Sequence, residues 1–173
     1  MTKTIGIVLV IGLVVVVGGI FLLSGDSAPG EGGGTVSSGI LDLTFQDYEG
    51  NEVKLRDLAD RPLILNSWAA WCPFCVKELP AFGQVQAEFG DEVLIVAINR
   101  SESLSTARSY TDNLGVTGSM LFLLDPSDSF YRAISGFSMP ETLFIDTDGV
   151  VQVHKRGPMD AEEIREKVRA LLN

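Results

Sequence analysis

Leu63-Ile64-Leu65-Asn66-Ser67-Trp68-Ala69-Ala70-Trp71-Cys72-Pro73-Phe74-Cys75 is the segment that decides the fold. Its three aliphatic residues start a buried strand that ends near Trp68. Apolar residues then recur at Val76, Leu79, Phe82, Val85 and Phe89, the spacing of a helix, and Gly90 stops it. Both cysteines of the chain therefore fall in the turn between a strand and a helix. Pro73 suits the first helical turn, where its missing N–H had no partner to lose. Pro80 lies inside the helical pattern and is expected to kink it.

A disulfide closing so short a loop removes little chain entropy and adds little stability, so its use is to form and break. Unpaired N–H groups at the helix start favour a thiolate at Cys72, which makes it the attacking nucleophile. Cys75 lies one turn inward and more shielded, placed to attack a mixed disulfide and release the product. Trp71 offers partners a broad flat contact, Phe74 adds apolar surface between the sulfurs, and Trp68 reads as core. A closed zinc site needs four ligands, and the chain has two thiols and one histidine, His154, read as a strand surface residue with no role. Covalent haem attachment needs a histidine where Val76 stands. A purely structural disulfide in an exported protein is the other reading of the pair. Glu78, three residues after Cys75, shares its helix face. Partly desolvated, it accepts the proton of Cys75; the alternative is an exposed glutamate near a helix start, which is also favourable.

Outward from this segment, Leu41, Leu43 and Phe45 alternate with polar residues, as do Val53 and Leu55, with Gly50-Asn51 between: a β-hairpin. Val93 to Ile98 reads as a strand covered on both faces. Leu104, Ala107, Tyr110 and Leu114 mark a second helix ended by Gly115. Leu121 to Leu124 is a short strand, and Phe130 to Ile134 one or two helical turns. Thr142 to Ile145 and Val150 to Val153 are strands about the turn Asp146-Thr147-Asp148-Gly149. Asp160 and Glu163 resemble a capping box, with Ala161, Ile164, Val168 and Leu171 on the core face of a last helix. Strands alternating with helices, then a hairpin and a closing helix, define an α/β fold around a mixed sheet.

The N-terminal part is different in kind. Ile5 to Leu23 carries no charge, and at about 1.5 Å per residue it spans roughly 28 Å, close to a bilayer's hydrocarbon core. Residues 1–23 read as a transmembrane anchor, with Lys3 before it and Asp26 and Glu31 after it favouring the N-terminus inside. The rival is a signal peptide cut within Ser24 to Ala28. Either way the rest is exported. Residues 24–39, with Gly32-Gly33-Gly34 at the centre, read as a flexible linker, and 40–173 as the folded domain. The net charge is −10 and the Lys and Arg residues are scattered, which argues against nucleic acid as a partner.

The quoted segment resembles the active-site region of thioredoxin-fold proteins, and Met139-Pro140-Glu141-Thr142 resembles that fold's proline loop, where the proline follows a cis bond and lies against the cysteines. The likeness covers about Ile40 to Asn173. Within the fold the chain is most similar to the membrane-tethered TlpA/ResA/DsbE group of extracytoplasmic thiol–disulfide oxidoreductases, several of which serve cytochrome c maturation. The anchor, Asn66 in place of a buried aspartate, and Glu78 carry that likeness. Pro-Glu-Thr and the proline after the first cysteine are similar to the DsbE branch. Phe74 and Met139 depart from the common pattern, at positions that partners touch.

The resemblance implies a thioredoxin-like domain held in the cell membrane that reduces disulfides of exported proteins, apocytochrome c among them, with electrons from an upstream membrane donor and no cofactor or metal. Cys72, Cys75 and Glu78 are the expected catalytic residues, and Trp71, Pro73, Phe74, Met139 and Pro140 the expected substrate contacts. The alternatives are an oxidase that introduces disulfides and a redox-silent binding module using the same groove. A peroxidase would need Thr-x-x-Cys, and Ala69 stands in the threonine's place.

Overall fold

The computed structural model describes residues 37–173. The expected anchor and nearly all of the expected linker lie outside the described residues. Helix α1 spans Ser37–Leu41, and strands β1 and β2 span Thr44–Asp47 and Glu52–Lys54. Then come β3 (Leu63–Trp68), α2 (Cys75–Phe89), β4 (Leu94–Arg100) and α3 (Leu104–Leu114). The chain continues with β5 (Leu121–Asp125), α4 (Ser129–Ala133), β6 (Glu141–Ile145), β7 (Val151–Arg156) and α5 (Ala161–Leu172).

The strands form one mixed sheet in the order β2-β1-β5-β4-β3-β6-β7. β3, β4 and β5 run parallel, and β6 lies antiparallel against β3. Two successive right-handed crossovers in one direction place both connecting helices on the same face. Accordingly α2 and α3 share a core with α5, built on Ile64, Trp68, Ile95, Phe122 and Phe144. The opposite core gathers Leu63, Leu65, Val96, Ile98 and Leu143 beneath α1 and α4. The split follows the two-residue period of a strand, even positions of β3 on one face and odd on the other. It puts Asn66 on the α2 face, opposite Thr142 of β6. Burying each large side chain of these cores contributes about 1.5–3 kcal/mol.

Helix ends follow local chemistry. Ser103 caps α3, its hydroxyl accepting from the Thr106 N–H at 3.2 Å, and Gly115 ends it at φ 68°. Asp160 caps α5 by accepting from the Glu163 N–H at 2.9 Å; the Glu163 carboxylate accepts from Lys155 instead. Helix α2 runs through Pro80.

Four expectations are corrected. Leu41 is not the start of a strand: with Ile40 it closes a helical turn, both buried in the second core. Burying two adjacent apolar residues in the same core needs a turn of helix, because a strand would send them to opposite faces. Leu55 leaves the strand and opens a 3₁₀ turn, Leu55–Leu58. Val76, whose helical spacing reads as core, is 41% exposed, while Cys75 and Glu78 of the same turn are buried. Leu104, at the first turn of α3, is likewise exposed.

Candidate active site around Cys72 and Cys75

Strand β3 ends at the buried Trp68, which stacks on Tyr110 and meets Phe122 edge-on. The chain then turns through Ala69 to Phe74 before α2 begins at Cys75. The Glu102 carboxylate holds this turn, accepting from the Ala70 N–H at 2.9 Å and the Asn99 amide at 2.7 Å. Cys72 and Cys75 form a disulfide with Cα atoms 5.5 Å apart. The Cys75 N–H donates to Cys72 Sγ at 3.3 Å. This N–H, at the helix start, also donates to the Cys72 carbonyl at 3.2 Å, and its share directed at the sulfur favours a thiolate there after reduction. Cys72 is 1% exposed and Cys75 0%, so the expected contrast in shielding is absent in the oxidised protein.

Glu78 is buried rather than exposed. Its Oε1 accepts from the Met159 N–H and its Oε2 from the Asn66 amide, both at 3.0 Å. Burial pushes its carboxyl up to about 8, against these two donors. The second amide hydrogen of Asn66 goes to Thr142 Oγ1 at 3.0 Å. One neutral side chain on β3 thereby ties the carboxyl of α2 to the strand that follows Pro140.

Around the sulfurs, Trp71 and Phe74 are 60% and 57% exposed, and Pro73 is exposed too. Phe74, Pro73 and Lys77 face Pro158 and Met159 across a cleft of ≈ 530 Å³. The Met139-Pro140 bond is cis. Met139 is half-buried and Pro140 buried, its carbonyl accepting from the Gly157 N–H at 2.9 Å.

Three groups escaped the reading of the sequence. Glu141, fully buried, accepts from the Phe137 and Ser138 N–H groups at 2.8 and 2.7 Å and meets His154 Nε2 at 2.6 Å. Burial pushes its carboxyl up, but the Ser138 and Phe137 N–H groups and His154 outweigh that and hold it low. His154 is therefore a buried carboxylate's partner, not an idle surface residue. The β6–β7 register, Leu143 opposite His154 and Glu141 opposite Arg156, places it diagonally beside Glu141 on one face. Phe137, 76% exposed, stands beside the proline loop with Arg156 over its ring at 5.1 Å. Arg100, at the end of β4, lies over both the Trp71 and Tyr131 rings. Only the charge cluster His154-Lys155-Arg156 two strands' length from Glu141 hinted at any of this.

A sulfur pair at the turn between β3 and α2, with a cis proline directly before the strand β6 that pairs with β3, takes up and returns two electrons through one S–S bond. The protein is a thiol–disulfide oxidoreductase on a thioredoxin-like fold. The chain belongs to the Redoxin family, whose model matches residues 25–172. It is similar to thioredoxin-like protein YneN of Bacillus subtilis (strain 168), 28% identical over 130 residues, 73% of this chain and 75% of that one. Thiol-disulfide oxidoreductase ResA of Geobacillus thermodenitrificans (strain NG80-2) is 27% identical over 137 residues, 79% of this chain and 78% of its own. Among solved structures, MTB DsbF in its mixed oxidised and reduced forms superposes with a TM-score of 0.70 at 27% identity, covering 76% of this chain and 96% of that one.

Proposed function

We propose that the protein reduces disulfides of exported proteins, apocytochrome c among them, on the extracytoplasmic face of the membrane. The buried Glu78 carboxyl one turn from Cys75 carries this reading. With the pair reduced, the Cys72 thiolate attacks one sulfur of a substrate disulfide and displaces the other as a thiolate, leaving a mixed disulfide. Glu78, ionised as the pH nears 8, takes the proton of Cys75. The Cys75 thiolate attacks Cys72 Sγ, the second substrate thiolate leaves, and the Cys72–Cys75 disulfide forms. The substrate gains two electrons and the pair loses two; a membrane-bound dithiol donor returns them.

Trp71, Pro73, Phe74, Met139 and Pro140 contact the substrate, with Phe137 at the rim. The charge-free run from Ile5 to Leu23 anchors the domain, and 24–39 tethers it within reach of donor and substrate.

Equilibration against a reference dithiol tests the direction. A reduction potential below about −180 mV supports reductase action, and one well above it makes the protein an oxidant. Trapping with Cys75→Ala in membranes should leave exported proteins linked to Cys72. Trapped proteins that are all cytoplasmic would contradict the placement.

A further inference from the structure

We propose that Arg100 is a positioning residue that holds Trp71 and the Phe137–Pro140 loop together as one contact surface for protein substrates. The proposal rests on the reading above, that the substrates are protein disulfides.

Arg100 ends β4 with its side chain only 16% exposed. Two parallel bonds pin its guanidinium to Asp128, Nε to Oδ1 and Nη2 to Oδ2, each 2.8 Å. The pinned plane lies 3.4 Å from the Tyr131 ring centroid and 5.8 Å from that of Trp71. The Tyr131 hydroxyl donates to the Ser138 carbonyl at 2.9 Å. Gly136 leaves the Tyr131 ring room, since a Cβ there would collide with it. One ion pair therefore touches the residue before Cys72 and, through one ring, the residue before Met139. These loops flank the disulfide, and no backbone pairing joins them among the described residues.

The need for such a hold follows from exposure. Trp71 is mostly in solvent, and an indole immobilised only on binding lowers affinity for the partner. Stacked beforehand on a fixed cation, it meets the substrate already ordered. Only arginine can stack on rings and bond a carboxylate through a planar fork at once. Asp128 neutralises the charge, so Arg100 supplies geometry rather than acidity to Cys72.

The test compares R100Q and D128N with the wild-type protein. KM for insulin should rise about fivefold with kcat within about twofold, as for loss of binding shared by ground and transition states. Exchange with dithiothreitol, which needs no docking surface, and the pH titration of Cys72 alkylation should stay unchanged. Fluorine NMR of 5-fluorotryptophan protein should show the Trp71 signal sharpen and move towards the free indole, with Trp68 unmoved. R100K, which keeps the charge and loses the fork, should resemble R100Q. An unchanged Trp71 signal, full rescue by R100K, or equal losses on insulin and dithiothreitol each overturn the proposal. If the wild-type protein fails to reduce insulin at all, the substrate reading falls, while the Trp71 signal still decides whether Arg100 positions it.

Discussion

Glu78 and Glu141 are both carboxyls with almost no exposed surface, yet their surroundings push them in opposite directions. Glu78 has two donors and, among the described residues, no cation within bonding distance, so burial wins and its carboxyl rises to about 8 from 4.5. Glu141 has two backbone donors and His154, and it is held low. Such divergence between two buried acids commonly separates a proton carrier from a structural anchor. The signs of the pH effects differ accordingly. Between about pH 4.5 and 8 the folded protein keeps a proton on Glu78 that the unfolded chain gives up, so stability falls as pH rises. Urea unfolding of the oxidised protein should lose up to about 5 kcal/mol across that window, and Glu78→Gln should flatten the loss. Glu141 contributes stability above its unfolded value that is lost as pH falls through its lower folded one. Glu141→Gln should weaken that acid limb and cost about 1–3 kcal/mol near neutrality, read from the same titrations, because it leaves His154 without its anion.

At the scale of elements, α5 reaches the site through its first turn. Asp160 caps it, and the adjacent Met159 N–H holds Glu78. Asp160→Ala should cost about 1 kcal/mol, or roughly 4 °C in Tm by calorimetry. It should also shift the pH dependence of exchange upward, since a looser Met159 N–H stabilises the Glu78 carboxylate less. A Tm loss with an unmoved pH profile would separate the cap from the site. The β3–cysteine–α2 unit was legible because a continuous apolar run, a proline at the right turn and a helical period agree within a few neighbouring residues. Helix α1 was hidden because Leu41, Leu43 and Phe45 mimic a strand's alternation, and only the second core explains why Ile40 and Leu41 are both buried. Val76 misled for the opposite reason: it keeps the helical period, but Cys75, Glu78 and Leu79 take the buried side of that turn.

For the molecule as a whole, the parts of the site lie far apart in sequence and are joined by strand register. Asn66 meets Glu78 and Thr142, and Glu141 meets His154, only once β6 is laid between β3 and β7. No local pattern encodes such pairings, so the catalytic pair was legible and most of its supports were not. The same architecture makes the disulfide dispensable for folding, because two cores on a seven-stranded sheet hold the cysteine loop in place. The Cys72→Ser, Cys75→Ser protein should keep its fold and lose no more than about 1–3 kcal/mol in urea, while losing all insulin reduction. Retained function of that variant in cells would favour a binding module.

The most direct test is the pH dependence of a single turnover on a protein disulfide, followed by stopped flow from the fully reduced protein. The rate of mixed-disulfide resolution should climb with a midpoint near pH 8 and level off above it, and Glu78→Gln should slow it by about 10²-fold at pH 7 and abolish that limb. Superimposable profiles for the two proteins would contradict a proton transfer from Cys75 to Glu78.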